Sequence, residues 1–101
     1  MKFGVNLKPT EGNRQKGDTM ELQDTIGMMN SEDYKERFKA EYNQLKIRYL
    51  KLKNMLYLWD SGKLNFVPDS PRSMYDTQLR AMKDYKIVLE ARATIEGIEL
   101  Y

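Results

Sequence analysis

The chain has 101 residues, enough for one domain at most. It is 32% charged and 41% hydrophobic, which is typical of a soluble helical protein, and its net charge of +2 is too small to predict wrapping of a long nucleic acid. The absence of cysteine and histidine excludes disulfides, thiolate or imidazole metal sites and Cys–His or Ser–His catalysis. With no membrane-length apolar run and no signal-peptide core, the sequence predicts a cytoplasmic protein without a membrane partner.

The N-terminal part has the weakest pattern. Residues 1–18 contain glycines, a proline and scattered charges, and they predict a short extended piece followed by a flexible loop, with a disordered tail as the alternative. Residues 19–29 carry apolar side chains at helical spacing. They predict a short amphipathic helix capped by Asp18 or Thr19 and weakened by Gly27.

A long helix is predicted over about residues 31–60. Asn30 or Ser31 is suited to cap it, and Gly62 follows its far end. At 1.5 Å per residue the helix would be roughly 45 Å long. Its apolar residues alternate spacings of four and three, as in a heptad seam. This seam consists of Phe38, Tyr42, Leu45, Tyr49, Leu52, Leu56 and Trp59.

A second long helix is predicted over about residues 71–96. Ser70 is a good N-cap residue, Pro71 suits the first helical position, and Gly97 is expected to end the helix. Two apolar stripes run along it. One contains Tyr75, Leu79, Met82, Leu89 and Ala93, and the other contains Ala81, Val88, Ala91, Ile95 and Ile98.

These elements predict an all-α fold: a short N-terminal helix and a long antiparallel two-helix hairpin, forming a helical domain over residues 19–101. Both long helices have more apolar surface than one partner helix covers, which predicts a homo-oligomer. The predicted oligomer interface is Phe38, Tyr42, Leu45, Tyr49, Leu52, Leu56, Trp59, Leu79, Met82 and Leu89.

Basic residues form a stripe on the first long helix. Lys35, Lys39, Lys46 and Lys53 recur at spacings of four and seven residues, and this pattern fits either a solvated face or an anion-binding groove. The chain also has seven tyrosines. Interface packing accounts for tyrosines in a seam, but an aromatic ring beside a cation also suits a nucleobase with its phosphate.

The start of the second long helix, VPDSPRSMY, carries Arg72 where a helix normally recruits carboxylates. Arg72 is neutralised by Asp69 or Asp76, or this turn binds an anion that stacks on Tyr75. The ligand-binding candidates are Arg72, Ser73, Tyr75, Arg80, Tyr34, Lys35 and Arg37. Carboxylate pairs such as Glu96 and Glu99 suit solvated helix faces, so the sequence predicts no enzyme, no catalytic residue, no metal and no cofactor.

The runs DTIGMMNSEDYKERFKAEYNQLKIRYLKLKNML, GKLNFVPDSP and EARATIEGIEL resemble a family of small bacteriophage and prophage proteins related to a crAss-like phage protein. The resemblance covers about residues 24–100 and implies no chemistry. A short helix followed by a long hairpin is also similar in architecture to the phage anti-CBASS sponge proteins, which oligomerise and sequester cyclic nucleotide signals. This likeness of architecture implies no individual site residues.

The likeness to the sponge proteins implies a phage anti-defence protein in the cytoplasm of the infected host. It is expected to sequester a cyclic oligonucleotide or related nucleotide immune signal, and its partners are other copies of itself and that signal. The alternative from the residues is a helical inhibitor or adaptor that presents one face to a host or phage protein.

Overall fold

A computed structural model describes residues 20–100, which are helical with no strand among them. A 3-10 helix, Leu22–Thr25, leads directly into α1, Ile26–Met29. Two long helices follow, α2 over Tyr34–Asp60 and α3 over Arg72–Glu96. The predicted all-α class is confirmed; the extended piece predicted within residues 1–18 lies outside the described residues. None of the described helices is both long and apolar enough to cross a membrane.

α2 begins at Tyr34 because Asp33 caps it. The Asp33 carboxylate accepts a hydrogen bond from the backbone N–H of Lys35 at 2.9 Å, which satisfies one of the unpaired donors of the first turn. The prediction that Asn30 or Ser31 is the cap is therefore wrong. Ser31 acts one step earlier, since its hydroxyl accepts from the backbone N–H of Asp33 at 3.0 Å.

α3 begins at Arg72, with Pro71 rather than Ser70 at the cap position and without a side-chain cap. The helix ends at Gly97, which has a φ of 70° that favours glycine. The N–H of the next residue, Ile98, donates to the carbonyl of Ala93 at 2.9 Å, and the Ile98 side chain is buried. The predicted end of this helix at Gly97 is confirmed.

The core lies where the first half of α2 packs against the last half of α3. Its buried members are Phe38, Tyr42, Leu45, Leu89, Ala93 and Ile98. Met82 and Leu100 pack against this cluster. On another side of α2, buried Thr25 accepts a hydrogen bond from the Gln44 side chain at 2.8 Å, which attaches the short N-terminal helices.

The burial pattern corrects the predicted oligomer interface. Five of its ten positions have almost no surface left for a second copy, because the opposite helix of the same chain or the chain's other elements cover them: Phe38, Tyr42, Leu45, Leu56 and Leu89. The other five are half-buried: Tyr49, Leu52, Trp59, Leu79 and Met82. The heptad seam thus closes the hairpin within one chain, and exposed apolar side chains lie elsewhere, among them Leu50 on α2, Val67 in the connector and Ile95 on α3.

Candidate functional site

Arg72 lies in an ionic cluster where α2 and α3 meet at the connector. Its Nε and Nη2 donate to the two carboxylate oxygens of Asp60 at 3.0 and 2.9 Å, and its Nη1 donates to Asp76 at 2.7 Å. The hydrogen bond from Arg72 holds the pKa of Asp60 below its ordinary value, and the two carboxylates, Asp60 first, raise the pKa of Arg72. The guanidinium also lies 5.9 Å from the ring centroid of Trp59.

This cluster supplies the negative charge that the first turn of α3 lacks in its own sequence. Asp76 is one of the two partners that the sequence suggested, whereas Asp69 makes no ion pair within residues 20–100. Asp60 was missed, because it lies twelve residues upstream and comes close only when the hairpin closes. An anion at this turn would have to compete with two carboxylates already bound to Arg72.

A second cluster joins the opposite ends of the same helices. The Tyr34 hydroxyl donates to Glu96 at 2.6 Å, and Arg92 Nε donates to the other oxygen of Glu96 at 3.0 Å. The Arg92 guanidinium lies 4.8 Å from the ring centroid of Phe38. Hydrogen bonding to Glu96 raises the pKa of Tyr34, and the same contacts, Tyr34 first, lower the pKa of Glu96.

The predicted ligand-binding residues are therefore divided between two ends of the hairpin. Ser73 is exposed and half-buried Tyr75 packs its ring edge-on against Trp59, 5.8 Å away, both beside Arg72. Tyr34, Lys35 and Arg37 start α2, where Arg37 donates to the Ser31 carbonyl at 2.8 Å. Since each long helix spans roughly 36–39 Å, one chain does not bring the two groups together. Arg80 is exposed partway along α3.

Between these ends, one face of the hairpin combines lysines with tyrosine rings. Residues 42, 46, 49 and 53 share a face of α2 because they are separated by three or four positions, and residues 83, 86 and 90 share a face of α3 for the same reason. Contacts between Tyr42, Lys86 and Glu90 bring the two faces together. We call this group the lysine–tyrosine strip: Lys46, Tyr49, Lys53, Lys83, Lys86 and Glu90, with the buried ring of Tyr42 beneath them.

Glu90 organises one end of the strip. Its Oε2 accepts hydrogen bonds from the Tyr42 hydroxyl at 2.6 Å and from Lys86 Nζ at 3.0 Å. These two bonds, that from Tyr42 first, hold the pKa of Glu90 below its ordinary value. The ammonium of Lys86 lies 5.9 Å from the ring centroid of Tyr42, so Glu90 fixes both a cation and the ring beneath it.

The rest of the strip carries positive charge. Lys53 Nζ lies 5.7 Å from the ring centroid of half-buried Tyr49, and exposed Lys83 makes no ion pair with any residue from 20 to 100. The strip therefore holds four lysines against one carboxylate. The sequence pattern indicated Lys46 and Lys53 on α2, but Lys86 and Glu90 were missed because only the pairing of α3 with α2 brings them to these lysines.

Two carboxylates on the predicted solvated helix faces have cationic or hydroxyl partners. Glu36 pairs with Lys39 at 3.2 Å, and Glu96 is held by Tyr34 and Arg92. Within residues 20–100 there is no cluster of carboxylates suited to holding a metal ion.

Fold and surface together define a small helical-hairpin protein with a basic, aromatic-bearing face. The chain belongs to the Sequestin family, whose model matches residues 32–95, more than half of the chain and nearly all of both long helices. Comparison with curated proteins and with solved structures gives no match.

Proposed function

We propose that this chain is a phage anti-defence protein that binds and holds a cyclic oligonucleotide or related nucleotide immune signal without converting it. Membership of the Sequestin family carries the proposal, because the family's name denotes sequestration and its model spans the hairpin. The lysine–tyrosine strip supports it chemically, since lysines attract phosphates and tyrosine rings stack on bases. The signal would be held in the cytoplasm of the infected bacterium.

A sequestering protein has different requirements from an enzyme. It must bind tightly and be abundant enough to keep the free signal below the threshold of the host effector, but it needs no general acid, base or nucleophile. A chain without histidine or cysteine, whose Glu90 and Glu96 are already hydrogen-bonded, suits this role.

Self-association is the second part of the proposal. Met74, Val88 and Ile95 on α3 are separated by fourteen and seven residues and are 57%, 54% and 83% exposed. Helical geometry places Val88 and Ile95 on a different side of α3 from buried Leu89 and Ala93, with Met74 nearer to the edge of the buried side. A helix with apolar residues on two sides is typical of one packed between two neighbours, so a second copy is expected to cover this side.

The test measures what happens to the signal. A thermal-shift panel of cyclic dinucleotides, cyclic trinucleotides and ADP-ribose derivatives should give a concentration-dependent rise in melting temperature for at least one compound. After incubation with that compound, heat denaturation should release it with unchanged mass and chromatographic retention. A chemically altered product would mean that the protein is an enzyme and would reject the proposal.

The exposed side of α3 also favours an alternative, a helical inhibitor or adaptor that docks on a host or phage protein. A panel in which no nucleotide shifts the melting temperature, together with a host protein recovered by the wild type but not by Val88→Asp, would support this alternative. A control substitution on the strip, Lys83→Gln, should leave such a docked protein in place.

A further inference from the structure

We infer that the lysine–tyrosine strip is the ligand site, and that its ligand is a nucleotide with at least two phosphate charges. The base would stack on Tyr49, and the phosphates would lie between Lys53 and Lys83. This inference rests on the proposed function and adds the site and the chemical class of the ligand.

The pairing of the two helices places these residues at one level of the hairpin. Tyr42 bonds to Glu90, and the helices run antiparallel, so seven residues further along α2 Tyr49 lies level with Lys83 on α3. The contact between Asp60 and Arg72 keeps the same pairing at the far end. Since packed helix axes are about 8–10 Å apart, side chains from both helices can reach one small ligand.

The lysines of the strip differ in the contacts that their ammonium groups already make. Lys86 is bonded to Glu90, whereas Lys53 contacts only the Tyr49 ring and Lys83 has no ionic partner in the described part of the chain. An exposed cation–π contact is weaker than the stacking of a base on an aromatic ring. A base can therefore replace Lys53 over Tyr49 and leave its ammonium free to bind a phosphate.

The limits of the positive surface restrict the size of the ligand. On α3 the strip is bounded by Glu90 on one side and by Asp76, bonded to Arg72, on the other. These carboxylates are fourteen residues apart, or about 21 Å along the helix. A dinucleotide or a nucleoside diphosphate derivative is short enough to lie between them, whereas an extended nucleic acid strand would continue onto side chains that are already ion-paired.

The two lysines indicate more than one phosphate. A single phosphate would satisfy one ammonium and leave the other without an anion, whereas two linked or neighbouring phosphates can bind both. Lysine acts here as a point charge without the fixed fork of arginine, so the strip should accept different arrangements of the phosphates. Binding should weaken as salt is added, because these exposed charges are screened.

The experiment measures dissociation constants by isothermal titration calorimetry for the full chain with four probes: ADP-ribose, cyclic di-AMP, inorganic pyrophosphate and adenosine. Lys83→Gln should weaken pyrophosphate and at least one nucleotide by about 3–10-fold. Tyr49→Leu should weaken the same nucleotide by about 10-fold and leave pyrophosphate unchanged, because only the base loses its stacking surface. Lys63→Gln is the matched control: it removes one charge from the exposed connector and should change no constant.

The outcomes separate the site from the proposed function. If the wild type binds a nucleotide and both strip variants bind it equally well, the site lies elsewhere and the proposed function stands. If the wild type binds none of the four probes but the thermal-shift panel finds another nucleotide that the strip variants bind equally well, the site is rejected and the proposed function stands. If neither experiment finds a bound nucleotide, both are rejected. Circular dichroism of each variant checks its folding, and if Tyr49→Leu does not fold, the comparison of Lys83→Gln with Lys63→Gln decides.

Discussion

Replacing Tyr42 with phenylalanine tests the polar contact at the centre of the hairpin. The Tyr42 side chain is fully buried, and its hydroxyl donates to Glu90 at 2.6 Å. The substitution keeps the ring in the core and removes only the donor. A hydrogen bond to a charged group contributes about 1.5–3 kcal/mol. Glu90 is 37% exposed and keeps its ion pair with Lys86, so water can replace part of the lost hydrogen bond. We therefore expect the free energy of unfolding to fall by about 1 kcal/mol.

The assay is unfolding by urea at neutral pH, monitored by circular dichroism. In a thermal scan, a loss of about 1 kcal/mol corresponds to a fall in melting temperature of roughly 4–8 °C for a domain of this size. Tyr57→Phe is the matched control, because the Tyr57 side chain is 65% exposed and its hydroxyl makes no hydrogen bond within residues 20–100. That variant should match the wild type within about 0.5 kcal/mol.

The pH dependence gives the same prediction a second readout. Because Tyr42 and Lys86 lower the pKa of Glu90 in the folded chain, ionised Glu90 stabilises the fold fully above its ordinary pKa of 4.5. That stabilisation is lost as the pH falls from this value through the lowered pKa. The difference between wild type and Tyr42→Phe should therefore shrink over this window. Equal stability at neutral pH, or a difference that grows in acid, would refute the assigned contact.

Three further substitutions test the core, the helix end and the ionic cluster. Leu89→Ala should cost about 2–5 kcal/mol in urea unfolding, because Leu89 is a fully buried core residue; a smaller loss would mean that the core relaxes around the cavity. Gly97→Ala should cost about 1 kcal/mol, since alanine resists the φ of 70°, whereas Gly27→Ala, at a helical position, should not destabilise. Arg72→Gln should lower the melting temperature, because it removes the ion pair that joins Asp60 to α3. It should leave the affinity for ADP-ribose unchanged if the strip is the site. An unchanged melting temperature would contradict a stabilising role for this ion pair.

Much of the fold follows from local pattern. The alternating spacing of apolar residues depends on helix geometry alone, so the presence of both long helices, and the end of the second at Gly97, were predictable. The N-cap of α2 was not predictable, because the side chains of Asn30, Ser31 and Asp33 can all accept a capping hydrogen bond and the backbone geometry decides among them. The pattern also cannot state which chain covers an apolar stripe, and this is why Leu45 and Leu89 were assigned to an oligomer rather than to the hairpin itself.

The candidate site was only partly predictable for a related reason. Lys46 and Lys53 stand out by spacing within one helix, whereas Lys83 and Glu90 join them only through the pairing of α2 with α3. Arg72 stands out in the sequence as a cation in the first turn of a helix, where a carboxylate is expected. Its main partner, Asp60, comes into contact only after folding. Local patterns therefore identify charged side chains but not the partners that neutralise them.

Three tyrosine–glutamate contacts cross the hairpin: Tyr34 with Glu96, Tyr42 with Glu90, and Tyr85 with Glu41. Their consequence is a fixed register. A slide of α3 along α2 by one turn, about 5.4 Å, would exchange one apolar neighbour for another at little cost, but it would leave all three carboxylates without their hydroxyl donors at once. A seam of leucine and alanine alone would permit that slip, so the three tyrosine hydroxyls set the register between the two helices.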